Sequence, residues 1–282
     1  MMVARTGLGM GRRLAPLLRC VSEQPSVSLY KRSLDERRDY LGLAPLRLTS
    51  AGHVGLSSHF SAPLSSGHQH VCFVQFPLGV VENKDEYIPL VLEEASVVAG
   101  ATRMTDFEYS SRYDASNNLI RSVQIPFHQL SKPDMDGEVM AKGIVDIYKF
   151  AERDPMRAIT NNKGIINATF PFLYALLPSQ AVRLTAQMMA LAYDQGTEFG
   201  TGHSQYGPLI HWGIDQEKGL LKATFTVPLS LFDVSDMPQD SSGSTVEARS
   251  VYGIDNVFDP TVLSLTTTKL AIAQNLAALR SI

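Results

Sequence analysis

The spacing of apolar residues predicts three long helices. Residues 138–151, 179–193 and 262–280 each repeat apolar side chains at helical spacing, which is typical of a helix that buries one face. Asp154 and Pro155 end the first of them, because a residue that precedes proline is driven out of the helical conformation. The predicted buried faces are Val139, Ile144, Ile147, Tyr148 and Ala151; Val182, Ala186, Met189 and Tyr193; and Leu265, Ile272, Leu276 and Leu279.

The same pattern predicts strands around these helices. Residues 71–77, 87–92 and 119–127 are rich in β-branched and aromatic residues, and residues 82–86 form a polar turn between the first two strands. A further strand is predicted to be buried on one side only, since Leu221, Ala223, Phe225 and Val227 alternate with Lys222, Thr224 and Thr226. Strands and helices intermix, so the predicted class is α/β (α+β), with helices packed on a mixed sheet.

Shorter signals complete the outline. Ser33 is the predicted N-cap of a short charged helix. Glu93 and Glu94 open a predicted helix over residues 93–101, where two carboxylates suit the positive end of the helix dipole. The polar stretches 50–70, 102–118 and 233–248 are predicted loops.

Composition narrows the class of protein. The chain has 282 residues, 44% hydrophobic and 19% charged, and a formal net charge of −3, which excludes overall disorder and gives no nucleic-acid signature. No transmembrane segment is predicted, because the apolar run at 164–177 is too short and contains Asn167, Thr169 and Pro171. Cys20 and Cys72 cannot build a disulfide framework, and no zinc-type spacing is present.

The first residues have the composition of a targeting segment. Residues 1–22 are amphipathic and carry Arg5, Arg12, Arg13 and Arg19 without an acidic residue. This is typical of a mitochondrial transit peptide; a basic tail is the alternative. We therefore expect import into mitochondria, to the matrix or the matrix side of the inner membrane, with residues 23–70 and 71–282 as the remaining regions.

Three groups of residues could carry chemistry. The first is Glu93 and Glu94 followed by Ser96, for which a charged first helical turn is the simpler explanation. The second has Lys163 before a glycine and an apolar stretch, where a partly desolvated lysine could stabilise an oxyanion; a solvated loop lysine is the alternative. The third is a group of histidines, which gives only a weak metal-site signal because no acidic ligand follows at a defined spacing. The second group consists of Arg157, Lys163 and Asn167, and the third of His53, His59, His68 and His70.

Several segments together resemble hydroxymethylglutaryl-CoA (HMG-CoA) reductase, especially its bacterial-type class II form. The strongest match is GEVMAKGIVDIYKFAERDPMRAITNNKGIINA at residues 137–168, and further matched segments, in the family's order, are residues 28–41, 76–101, 206–229 and 270–279. The resemblance implies the fold of the large domain and reduction of HMG-CoA to mevalonate by two hydride transfers from NAD(P)H. It implies catalytic roles for Glu94 and Lys163, and contacts to the hydroxymethylglutaryl group for Ser96, Arg157 and Asn167. Family subunits pair, with active sites at the dimer interface.

Departures from the family's pattern point away from catalysis. Ser179 stands where the family has its catalytic aspartate, HQHVC at residues 68–72 replaces another family block, and the family's C-terminal histidine segment has no counterpart before Ile282. The small cofactor-binding domain belongs between the segments matched by 91–101 and 119–130. Only the predicted loop 102–118 lies there, and one βαβ unit needs about thirty residues. We therefore expect no bound NAD(P)H.

Two functions follow from this resemblance. The first is a non-catalytic HMG-CoA reductase-like protein that acts as a structural or interaction subunit of a mitochondrial assembly. The second is an HMG-CoA reductase, or an HMG-CoA or other acyl-CoA binder, completed by a partner chain; a homodimer and a pairing with a full-length reductase are both compatible with it. The retained Glu94, Ser96, Arg157, Lys163 and Asn167 favour the second function, and the missing parts favour the first.

Overall fold

The computed structural model describes residues 79–83, 86–91, 94–105, 107–198, 206–234, 243–253 and 259–281, together with Ser33, Glu36 and Asp39. The chain divides into two compact units, Met1–Pro77 and Leu78–Ile282. The predicted segments 1–22, 50–70 and 71–77, with the four candidate histidines, lie outside the described residues.

In the first unit, the predicted N-cap is confirmed. Glu36 and Asp39 are helical, the Glu36 amide donates to Ser33 Oγ (3.3 Å), and the Ser33 amide donates to Glu36 Oε2 (2.7 Å). This reciprocal pair is a capping box, which satisfies two backbone N–H groups that the start of a helix leaves without partners.

The described strands of the second unit form two sheets. Two form a hairpin, and four form an antiparallel sheet in the order β3-β4-β6-β5. The α/β (α+β) class is confirmed, with every described strand pair antiparallel rather than mixed. The strands are β1 (Gly79–Asn83), β2 (Glu86–Leu90), β3 (Tyr109–Tyr113), β4 (Asn118–Pro126), β5 (Ile210–Asp215) and β6 (Leu220–Pro228).

Helices contact both sheets. The predicted break at Asp154 is confirmed, since its side chain accepts the Met156 amide (2.9 Å) and Pro155 starts the next helix. A short 3₁₀ turn, Leu229–Phe232, follows β6. The helices are α1 (Ala95–Thr105), α2 (Phe127–Leu130), α3 (Gly137–Arg153), α4 (Pro155–Leu176), α5 (Pro178–Glu198), α6 (Gly243–Tyr252) and α7 (Pro260–Arg280).

Helix α7 occupies the centre of this unit. It contacts α1, α4, β4 and β6, and residues on nearly all of its sides are buried. The predicted alternation in β6 is confirmed, because Leu221, Ala223, Phe225 and Val227 are buried and the residues between them are only partly so. One face of the sheet thus closes the core around α7.

Two predicted helix faces were partly or wholly wrong. In α3, Ile144, Tyr148 and Ala151 are buried as predicted, but Val139 is 59% exposed and its neighbour Met140 is buried. In α5 the predicted face, Val182, Ala186, Met189 and Tyr193, points mainly outward, with Val182 67% exposed. The α5 residues that are buried are Ala181, Leu184, Met188 and Ala192. Successive helical residues are about 100° apart, so a stripe shifted by one position faces elsewhere.

The loop predicted over residues 102–118 was also wrong. Residues up to Thr105 belong to α1, and β3 pairs with β4 from Tyr109↔Val123 to Tyr113↔Leu119. Polar side chains here are used in structure: the Tyr109 hydroxyl donates to the Met104 carbonyl (2.8 Å), and the Arg121 guanidinium lies 5.4 Å from the Tyr109 ring centre. Polar composition therefore did not indicate a loop.

Two further loop boundaries need correction. The turn predicted at residues 82–86 is narrower, since β1 reaches Asn83 and β2 starts at Glu86. The loop predicted at 233–248 ends earlier, because α6 begins at Gly243 and is tied to α4 by Arg249 Nε, which donates to the Leu176 carbonyl (3.0 Å). Both segments are polar in composition, yet backbone pairing or a long-range contact orders them.

Among the described helices, none combines the length and the apolar character that crossing a bilayer requires.

Candidate functional site

Glu94 and Ser96 meet at the start of α1. The helix begins at Ala95, so Glu94 precedes its first turn, where its carbonyl accepts the amides of Val97 (3.0 Å) and Val98 (3.2 Å). The Ser96 hydroxyl donates to Glu94 Oε1 (2.8 Å), and both side chains are exposed. The predicted helix 93–101 is therefore shifted, and its first turn contains no acidic residue. The carboxylate is held just outside the helix and remains open to solvent.

Arg157, Lys163 and Asn167 all lie on α4, a helix that sequence reasoning did not predict. Lys163 is exposed and Asn167 half-buried, and residues four apart on a helix are neighbours. Arg157 lies six residues before Lys163, about 120° around the helix. Lys163 is thus neither a loop lysine nor desolvated within the described chain.

Arg157 has an atom without a partner. Its Nε is buried, and no hydrogen-bond acceptor reaches it within the described residues. A buried guanidinium N–H normally finds an acceptor, because leaving it unpaired costs free energy. This is the one predicted site residue whose own hydrogen bonding in the described chain is incomplete at a buried atom.

A backbone contact brings the Glu94 segment to α4. Val91 lies three residues before Glu94, and its amide donates to the carbonyl of Pro171 (3.1 Å). Asn167 is one turn before Pro171 and Lys163 one turn earlier still, so these three α4 residues share one side of the helix. Proline has no N–H, so the Asn167 carbonyl also lacks its usual intrahelical donor. Glu94, Ser96, Lys163 and Asn167 thus belong to two adjacent elements, and Arg157 lies further around α4.

Ser179 lies in the first turn of α5, after the end of α4. Its side chain is exposed, and its Oγ accepts from Gln180 Nε2 (3.1 Å). A serine hydroxyl is neutral at physiological pH, so it cannot provide a carboxylate's charge at this position.

A second polar group was missed in the sequence. The Tyr148 hydroxyl donates to Glu152 Oε1 (2.5 Å) and lies 2.8 Å from His211 Nδ1. The hydroxyl has one proton, and Glu152 receives it, so Nδ1 of His211 must be the donor of the second bond. Burial, then the hydrogen bond and charge of Glu152, raise the pKa of Tyr148. Burial lowers the pKa of His211, and the charge of Glu152 raises it by a smaller amount.

The only available sequence signal for this group was local. Tyr148 lies on the helix predicted over residues 138–151, and Glu152 follows its predicted end at a distance of four residues, a spacing that lets side chains meet on a helix. His211 comes from β5, 63 positions further along, and nothing in the sequence pairs it with them. Within the described residues, no three His, Cys, Asp or Glu side chains are arranged to hold a metal ion.

Fold and site define an α+β domain in which a lysine, an asparagine and an arginine lie on α4, and an exposed glutamate precedes the neighbouring helix α1. No protein-family model matches the chain. The 3-hydroxy-3-methylglutaryl-coenzyme A reductase of Archaeoglobus fulgidus is 27% identical over 156 residues, which are 54% of this chain and 31% of that protein. The chain therefore spans about a third of the curated relative that it matches.

Solved structures of the same enzyme are also similar. The reductase of Streptococcus pneumoniae is 27% identical, with a TM-score of 0.44 over 58% of this chain and 41% of the other. Its class II reductase bound to NADPH in open conformations gives the same values. The curated relative and these solved structures are all described as HMG-CoA reductases, the family that the matched motifs resemble, and each is matched over only part of its length.

Proposed function

We propose that the protein is a non-catalytic HMG-CoA reductase-like protein that serves as a structural or interaction subunit of a mitochondrial complex. The observation that carries the proposal is the short connection between α1 and β4. The resemblance places the family's cofactor-binding domain in this connection. The described part of this connection, residues 107–117, holds only β3 and a tight turn, whereas one βαβ unit takes about thirty residues.

The turn between β3 and β4 is stabilised by hydrogen bonds to Asp114. Asp114 Oδ1 accepts the amides of Ser116 and Asn118 (both 2.9 Å), and these bonds, the Asn118 amide first, lower the pKa of Asp114. Asn117 has φ 61°, a left-handed conformation that asparagine tolerates better than most residues. The hairpin is a complete local structure, so it leaves no room for a nicotinamide-binding domain in the described connection between α1 and β4.

The position of Ser179 adds support. The resemblance assigns this place to an aspartate whose charge couples the lysine and the glutamate. An exposed hydroxyl supplies no such charge, so Lys163 and Glu94 keep family positions without the coupling. The basic, acid-free residues 1–22 support the mitochondrial part of the proposal.

Two measurements test the proposal. Purified protein incubated with HMG-CoA and NADPH or NADH should form no mevalonate beyond a heat-denatured control. In native gels of mitochondria, the protein should migrate in an assembly much larger than 30.9 kDa. Mevalonate formation that the Lys163→Ala substitution abolishes would overturn the non-catalytic function, and migration as a small free species would overturn the subunit role.

Arg157 favours a second candidate, an HMG-CoA reductase, or an HMG-CoA or acyl-CoA binder, that a partner chain completes. Its buried, unpaired Nε could donate to an anionic ligand, since guanidinium groups bind carboxylate and phosphate well. Calorimetry with HMG-CoA tests this: Arg157→Ala should abolish binding, and the exposed Arg153→Ala should not. No heat of binding at millimolar HMG-CoA rejects this candidate.

A further inference from the structure

Three basic side chains from different elements lie together where α1, α2 and α7 end. Arg103 is in the last turn of α1 and Arg280 in the last turn of α7. The two helices touch one turn earlier, where a Cβ at Gly100 would lie 3.0 Å from Ala277 Cβ, and each arginine is three residues beyond that contact. Lys132, which follows α2, donates from Nζ to the Arg280 carbonyl (2.6 Å). These three side chains form the basic cluster.

Arg280 is held in place and still has unused donors. Its Nη2 donates to the carbonyls of Leu130 (3.1 Å) and Ser131 (3.2 Å), which fixes the guanidinium against the end of α2. Its Nε is buried and has no acceptor among the described residues. Because arginine carries five N–H donors, a guanidinium that is held through one nitrogen can still bind an anion through the others.

No carboxylate balances the basic cluster in the part of the chain that the structure describes. None of the three side chains forms an ion pair there. Asp134, two residues after Lys132, is exposed and does not pair with it. Burial, and then the positive charge of Arg103, lower the pKa of Arg280, so the two guanidinium groups are close enough to repel each other.

Helix dipoles account for only part of this positive charge. A helix end attracts basic residues because its free carbonyls carry about half a negative charge. The ends of α1 and α7 together therefore supply about one negative charge against three positive ones, and α2, with four residues, is too short to add much. About two positive charges remain uncompensated, which is an excess that a bound anion would neutralise.

We propose that the basic cluster binds a phosphate monoester, with Arg103, Lys132 and Arg280 as its donors. Such a group carries a charge of about −1.5 to −2 at pH 7, which matches the excess, whereas a carboxylate would neutralise only about half of it. Arginine binds phosphate oxygens through parallel N–H groups, and lysine adds a point charge. The cluster lies at the end of α1 and Glu94 before its start, so this site is distinct from the candidate site and independent of the proposed function.

Calorimetry of the full chain with inorganic phosphate, at constant ionic strength, tests the proposal. The natural protein should bind with a dissociation constant on the order of 1 mM, and Arg103→Gln should weaken binding about tenfold, because it removes a charged donor. Lys132→Gln repeats the test from a second element. Arg153→Gln is the matched control, since Arg153 is also an exposed arginine in the last turn of a helix, and it should change binding less than about twofold.

Two ligands identify the source of the phosphate, because CoA carries one phosphate monoester, on its ribose, and dephospho-CoA lacks it. CoA that binds more tightly than dephospho-CoA, with the difference lost in Arg103→Gln, supports CoA as the source; equal binding of the two supports free phosphate or another ester.

Three results overturn the proposal. The first is no heat of binding at about 20 mM phosphate, and the second is equal weakening by Arg103→Gln and Arg153→Gln. The third is phosphate binding that appears only when two glycines are added after Ile282, since this would show that the terminal carboxylate fills the basic cluster.

Discussion

Helices α7 and α5 are both 21 residues long, yet their apolar residues serve different purposes. In α7 most residues are buried, including a run of threonines whose hydroxyls donate back to the helix: Thr267 Oγ1 to Leu263 O and Thr268 Oγ1 to Ser264 O, both at 2.7 Å. In α5 one apolar stripe is buried and a second is exposed. Apolar periodicity therefore identifies a helix, whereas burial of a particular face depends on what packs against it.

A buried polar residue shows most clearly that α7 belongs to the core. Asn275 of α7 is 1% exposed, accepts from Trp212 Nε1 (2.8 Å) and donates to the carbonyl of Asn161 in α4 (3.1 Å). It lies in the LAIAQNLAAL segment that resembles the reductases, yet here its contacts join α7, α4 and β5. In this chain the retained motif therefore stabilises the fold, independently of any catalytic role.

The largest effect is expected at Asn275. Asn275→Ala leaves the Trp212 N–H and the Asn161 oxygens unpaired in the interior and adds a cavity, so unfolding free energy should fall by about 4 kcal/mol. Urea unfolding followed by Trp212 fluorescence measures this loss. Gln187→Ala on exposed α5 is the matched control and should change stability little. Equal losses in the two variants would contradict the central role of α7.

Within α5, substitutions on the two stripes should separate cleanly. Leu184→Ala removes buried methyl groups and should cost about 3 kcal/mol, whereas Val182→Ala, at an exposed position, should cost below about 0.5 kcal/mol. Chemical unfolding of the two variants makes the comparison. A larger loss of unfolding free energy for Val182→Ala than for Leu184→Ala would show that the face predicted from the sequence is the buried one.

A smaller effect is expected where α1 crosses α7. A Cβ at Gly100 would lie 3.0 Å from Ala277 Cβ, so Gly100→Val should overpack this crossing and cost about 2 kcal/mol. Gly143 of α3 has nothing within 4 Å of its Cβ position, so Gly143→Ala should gain about 0.5–1 kcal/mol from helix propensity. Thermal unfolding of both variants checks the signs, and a stabilising Gly100→Val would refute the close approach.

The sequence predicted elements better than faces. The α7 helix was predictable because its apolar residues repeat at helical spacing, and the alternation in β6 was predictable because period and burial coincide there. The outward-facing apolar residues of α5 also repeat at helical spacing, so this spacing predicted the wrong buried face. Helix α4 was not predicted, because Gly164 and Pro171 interrupt its pattern, and tertiary contacts such as Asn162 Nδ2 to Gly207 O (2.9 Å) help to hold it.

The candidate site was predictable only in part. Matched motifs selected Glu94, Ser96, Arg157, Lys163 and Asn167, but no sequence rule gives the backbone contact from Val91 to Pro171. The group of Tyr148, Glu152 and His211 was out of reach for the same reason: partners distant in sequence are joined by the fold alone.

The smallest effect is expected at His211, which joins β5 to α3. Because burial lowers the pKa of His211, the unfolded chain binds a proton there that the folded protein does not, so stability should decrease as pH falls below about 6.5. The loss is partial, since Glu152 favours the charged imidazole. His211→Asn keeps a donor near Nδ1 but does not titrate, so its unfolding free energy should vary less between pH 7.5 and pH 5 than that of the natural protein. Urea unfolding across that range measures the difference, and parallel pH profiles would show that His211 is not the titrating group.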